Sequence, residues 1–226
     1  MRPLSARLLA EALGTALLLA TVVGSGIMAT RLSAGNDGIA LLANAAATAG
    51  ALYALISVLG PASGAHFNPA VTLVARLRGE LDTRAALAYA GVQVVAAVAG
   101  VLLAHAMFGE ALWQPGTHAR TGAAQWLSEG VATFGLVLVI RLGMRHCAAQ
   151  VPALVAAYIF AAYWFTASTS FANPAVTLAR ALTQTFAGIR PQDVAAFVVA
   201  QFIGALLALW ISGRLGDADD QRVVAR

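Results

Sequence analysis

The string Asn-Pro-Ala-Val-Thr-Leu occurs twice in this chain, at residues 68–73 and 173–178. Each copy lies in an apolar segment too short to cross a bilayer, 64–76 in one case and 170–180 in the other. Six longer apolar stretches surround them, at about 8–29, 38–59, 84–107, 122–141, 151–167 and 192–213. Each is near the roughly 20 residues that a spanning helix needs. Each short segment follows the second stretch of a group of three. Three is an odd number of crossings, so the second group must be inverted relative to the first. The expected organisation is a single transmembrane unit, 1–226, built from inverted repeats of approximately 1–110 and 121–216. Matching short, Pro-interrupted segments in the two halves of such a repeat point to a permeation path.

Composition agrees with a membrane setting. The chain is 60% hydrophobic and 11% charged, with a mean hydropathy of +0.77. A soluble surface of this size would carry far more charge. The net charge of +4 does not point to nucleic acid, because all 14 basic residues are arginines scattered through short interhelical stretches. With one cysteine, Cys147, no internal disulfide is possible. The first apolar run is too long for a signal-peptide core, so it reads as a retained first helix. An even number of spans puts both termini on one side. Arg2, Arg7, Arg76, Arg78, Arg84, Arg141, Arg145, Arg214, Arg222 and Arg226 share that side; Arg31, Arg120, Arg180 and Arg190 face the other. The positive-inside rule then predicts cytoplasmic termini and an inner (plasma) membrane location.

The residue types in Asn-Pro-Ala have a local logic. Asn caps a helix by accepting a backbone N–H of its first turn. Pro suits the first helical position, where its missing N–H costs nothing. Ala lets two helix ends approach closely. Asn68-Pro69-Ala70 and Asn173-Pro174-Ala175 are therefore each expected to start a half-helix. Entering from opposite sides, two such half-helices meet near mid-membrane. Their positive dipole ends repel cations there, and the Asn amide groups offer donors to a neutral solute. The irregular backbone before each motif, 60–67 and 166–172, is tolerable in a membrane only if buried or lining water. Its carbonyls are the expected acceptors along the path.

With these motifs, the approach Ser63-Gly64-Ala65-His66-Phe67-Asn68 and the paired Glu11 and Glu129, the chain resembles the major intrinsic protein family of aquaporins and aquaglyceroporins over nearly its whole length. The resemblance implies an all-α membrane protein of six spanning helices plus two re-entrant half-helices, no cofactor or metal, and a homotetramer with one pore per subunit. The family's narrow filter usually carries an Arg three residues after the second motif's Asn; this chain has Val176. Ungapped spacing carries the other filter positions onto Thr48, Ala161 and Ser170, with Phe160 or Ala162 replacing Ala161 if one residue is gapped. The set is small, uncharged and wide. The string Asn-Pro-Ala-Val and the following segment 186–191 resemble bacterial aquaglyceroporins associated with arsenic resistance, the AqpS-like group. That implies passage of neutral trihydroxy arsenic, with methylated arsenicals, glycerol and water as further solutes.

Other residues have assigned places in this reading. Glu11 and Glu129 are expected to accept N–H groups from the two re-entrant loops, with Gln93 and Gln201 assisting. Proton relay is the alternative for the two acids. His66 lies at a pore mouth, as a lining histidine or a pH sensor. Arg180 corresponds by repeat to Arg76 and lies a turn past the filter position; a surface or loop-bonding role is expected, against a substitute for the missing filter charge. A water-selective pore, an ion-coupled secondary transporter and a closed structural membrane protein are the competing classes. An enzyme is not expected, since no nucleophile, base or metal constellation is visible.

Overall fold

The structure is a computed structural model describing residues 2–224, with side chains up to residue 215. Of the arginines counted above, Arg226 and the side chain of Arg222 lie outside the described residues. Among those residues the chain is helical throughout: α1 (Leu4–Leu32), α2 (Asp37–Ser63), α3 (Pro69–Leu77), α4 (Thr83–Phe108), α5 (Ala123–His146), α6 (Val151–Phe165), α7 (Pro174–Arg180) and α8 (Val194–Val224). Six are long and apolar enough to cross a membrane. The order long, long, short, long occurs twice, with α3 and α7 as the short members.

Local chemistry sets the ends. Asn36 opens α2 by accepting from the Ile39 N–H, and Asp82 opens α4 by accepting from the Ala85 N–H. Pro61 cannot donate to the preceding turn, and α2 stops two residues later at Ser63. Gly64, with φ of 91°, takes the left-handed cap.

Small residues hold the long helices together. A Cβ on Gly100 of α4 would lie 2.3 Å from the Ala16 carbonyl oxygen of α1. One on Gly204 of α8 would lie 2.2 Å from the Gly130 carbonyl oxygen of α5. The two crossings are equivalent, and each backbone approach is possible only without a side chain. The outer surface is apolar, with Leu87, Val95, Leu127, Val199 and Ile203 all exposed. Exposed Trp113, Trp126 and Trp164 lie toward the membrane boundary opposite the termini, and Trp210 toward the other. This is the placement of interfacial anchors.

The short helices sit inside this shell. Helix α3 packs on α4 and α8, α7 packs on the same two helices, and the N-terminal ends of α3 and α7 touch.

Candidate functional site

The centre of the molecule is where α3 and α7 meet. Asn68 Oδ1 accepts from the Ala70 N–H at 2.9 Å, and Asn173 Oδ1 accepts from Ala175 at 3.0 Å and Val176 at 3.3 Å. Each side-chain nitrogen then crosses to the other half. Asn68 Nδ2 donates to the Ala172 carbonyl at 2.8 Å, and Asn173 Nδ2 donates to the Phe67 carbonyl at 2.7 Å. An amide nitrogen has two hydrogens. One of each pair is thus committed to stapling the halves together, and one remains.

The backbone leading into each Asn is held by a buried carboxylate. Glu11 Oε1 accepts from the His66 N–H at 2.9 Å and from Ser63 Oγ at 2.7 Å, while Oε2 accepts from the Phe67 N–H at 2.7 Å. Glu129 Oε1 accepts from Phe171 at 2.8 Å, and its Oε2 from Ala172 at 2.9 Å. Gln93 donates to Glu11 at 2.8 Å and to Thr72 at 3.0 Å; Gln201 donates to Glu129 at 2.6 Å and to Thr177 at 2.8 Å. All four side chains are fully buried.

These bonds fix an unusual backbone. Ala65 and Phe67 before the first motif, and Ser170 and Ala172 before the second, all have φ near +50°. Non-glycine residues there carry strain, of order 1–3 kcal/mol each. The acids hold the loop N–H groups, while the Phe67 and Ala172 carbonyls accept from the Asn side chains of the opposite half. Gly14 makes room for this arrangement, since a Cβ on it would lie 2.0 Å from the Phe67 ring.

A cavity of about 70 Å³ runs past this junction. Leu52, Ile56, Leu136, Ile140, Val155 and Ile159 form its apolar side. His66, Asn68, Asn173, Ser170, Thr48, Tyr163, Val176 and Arg180 also line it. His66 is tied down, with Nδ1 3.1 Å from Thr72 Oγ1 and its ring edge-on to Tyr89. Ser170 Oγ is buried and has no partner among the described residues.

One expected filter residue is misplaced. Ala161 is exposed on the outer face of α6 and does not line the cavity. Neither Phe160 nor Ala162 lines it either. Of the α6 residues that line the cavity, Val155, Ile159 and Tyr163, the last has its hydroxyl 3.3 Å from Thr48 Oγ1. The mouth on this side is therefore lined by an aromatic ring as well as by small residues. The periodic signal was available, because Val155, Ile159 and Tyr163 recur every four residues on one face. Asn44 was also missed; it is buried and ties α2 to α1 through the Val22 carbonyl at 2.9 Å.

Arg180 does not lie at the surface. It is 2% exposed, its guanidinium sits 3.3 Å from the centroid of the Phe171 ring, and Nε donates to the Ala187 carbonyl. Arg120 approaches the same ring at 4.9 Å and is fastened to the surrounding loop. Its Nε donates to Gly188 at 2.9 Å, Nη1 to the Ser168 carbonyl at 3.1 Å, and its N–H to Asp193 at 2.8 Å. Burial lowers the Arg120 pKa from its ordinary value, partly offset by the charge of Glu129.

Residues 2–148 match the family described as Major intrinsic protein. The chain belongs to this family. Among major intrinsic proteins it is 58% identical over 206 residues to the aquaglyceroporin AqpS of Rhizobium meliloti (strain 1021), covering 91% of this chain and 88% of that protein. It is 35% identical over 137 residues to the aquaporin TIP1-1 of Zea mays, covering 58% of this chain and 54% of the relative. With the aquaporin NIP1-4 of Oryza sativa subsp. japonica it shares 34% identity over 139 residues, 59% of this chain and 48% of that one. Family membership and six apolar helices make the protein an integral membrane channel.

Proposed function

We propose that the protein is a passive channel for small uncharged solutes: water, glycerol and neutral metalloid hydroxides such as trihydroxy arsenic, with methylated arsenicals at the upper end of size. The observation that carries this reading is the cavity itself. Its lining combines apolar side chains with the polar side chains of Thr48, His66, Asn68, Tyr163, Ser170 and Asn173. A polyol or hydroxide bears hydroxyls along a compact frame, and such a passage exchanges its water for fixed donors and acceptors. The dipoles of α3 and α7 both present their positive ends at the junction, which disfavours cations. Val176 in place of the family's usual Arg leaves this part of the wall uncharged. The resemblance to an aquaglyceroporin supports solutes larger than water.

The same reading takes the two halves as inverted repeats of one transmembrane domain, assembled as a homotetramer in the inner membrane with cytoplasmic termini. Burial of Arg180 supports the orientation, because it leaves one fewer free charge on the side opposite the termini. A water-selective pore is the second reading, favoured by the Tyr163 ring beside Thr48. Stopped-flow swelling of vesicles holding the purified protein, challenged in turn with water, glycerol and arsenite, separates the two. The proposal expects all three to pass faster than through empty vesicles. Water flux without glycerol or arsenite flux establishes the second reading instead.

A further inference from the structure

Arg180 is a buried cation without a counter-ion. Glu129, the carboxylate whose charge acts on it, is engaged by two loop N–H groups and Gln201. Asp193 is engaged by Arg190 and by the Arg120 N–H. Among the described residues the only acceptor for Arg180 is the Ala187 carbonyl, which takes Nε. Its two Nη groups have none, although the residue is 2% exposed and lines the cavity. A buried charge is normally paired, and an unsatisfied one is costly. Arg120 shows the contrast, since its guanidinium is spent on loop carbonyls.

The position follows from helix geometry. Arg180 is four residues beyond Val176 on α7, so both side chains lie on the same face, one turn apart. The Phe171 ring beneath the guanidinium and the Ala187 carbonyl beside it fix the plane of the fork. The cavity lining thus includes a held pair of cationic donors and Ser170 Oγ, itself unpartnered.

We propose that Arg180 is the specificity-determining cation of the pore, supplying from one turn further out what residue 176 lacks. This rests on the channel reading above. The Nη groups donate to hydroxyl or oxo oxygens of an entering solute, replacing its water. Their charge raises the barrier for metal cations before these reach the half-helix junction. Because the fork stands one turn beyond Val176, it screens charge without filling the space that residue 176 leaves open to polyols.

The test uses full-length protein in proteoliposomes, wild type, Arg180→Gln and Arg180→Lys, with sodium influx and the glycerol-to-water permeability ratio measured on each. A charge in a cleft changes local ion concentration by about tenfold or more, so Arg180→Gln is expected to raise sodium leak by about that factor. Arg180→Lys keeps the charge and loses the fork, so it holds sodium out yet shifts the glycerol-to-water ratio. Should Arg180→Gln fail to fold, Arg180→Lys decides alone: an unchanged ratio overturns the proposal. A folded Arg180→Gln that excludes sodium as well as the wild type also overturns it. If the wild type passes neither water nor glycerol, the channel reading itself fails, whatever the variants do.

Discussion

The Tyr163 hydroxyl lies 3.3 Å from Thr48 Oγ1, joining α6 to α2 beside the passage. The aromatic ring takes space that Ala161 would have left open, and Ala161 itself faces outward. Tyr163→Ala is expected to raise glycerol permeability several-fold relative to water. Ala161→Leu is expected to change neither. Stopped-flow permeability of the two variants checks the assignment, and a selectivity change in Ala161→Leu alone reverses it.

Val176 predicts a second result. An Arg there adds a bulky fork and a second cation one turn inside Arg180. Val176→Arg is expected to cut glycerol and arsenite passage sharply while sparing water more. Equal flux of the larger solutes through well-folded Val176→Arg protein places residue 176 away from the constriction.

The buried acids predict effects on folding. Glu11→Ala removes acceptors from two loop N–H groups, Ser63 and Gln93; Glu129→Ala does the same for two N–H groups and Gln201. Each group left unpaired costs about 1–3 kcal/mol. Both variants are expected to yield less folded protein and a lower Tm, with Glu→Gln milder because one oxygen still accepts. Normal folding of the Ala variants combined with altered proton-dependent uptake indicates a relay role for the acids instead.

His118 gives a pH prediction. It lies in the loop between α4 and α5, where burial first, then the charges of Arg120 and Arg180, hold its pKa below the ordinary 6.5. The folded state therefore disfavours the protonated ring. Stability from this residue is present above the ordinary value and is lost as pH falls from there through the lowered folded-state value. His118→Gln is expected to flatten part of the decline in Tm between about pH 7.5 and 5.5. An identical decline in both proteins shows that His118 has no part in it.

The half-helix starts were legible because capping is local: Asn, then Pro, then a small residue define a helix N-terminus without reference to the rest of the fold. The paired acids were legible because a carboxylate inside an apolar span needs donors, and the re-entrant loops have them to give. Ala161 failed for a geometric reason. Counting back from Asn173 crosses an irregular loop, and an error of two residues rotates a helical position by about 200° to the opposite face. For Arg180 the loop bond was legible and the burial was not, because burial depends on residues 181–193 folding back to bring the Ala187 carbonyl to Nε. Its repeat partner, Arg76, bonds Thr83 near the surface instead.

The central claim is passive passage of an uncharged solute, and its most direct test is glycerol influx into proteoliposomes with ion gradients collapsed by ionophores. The account predicts influx well above that of protein-free vesicles, proportional to the glycerol gradient and indifferent to collapse of the proton and sodium gradients. Influx that saturates and disappears when either gradient is removed contradicts it and makes the protein an ion-coupled transporter.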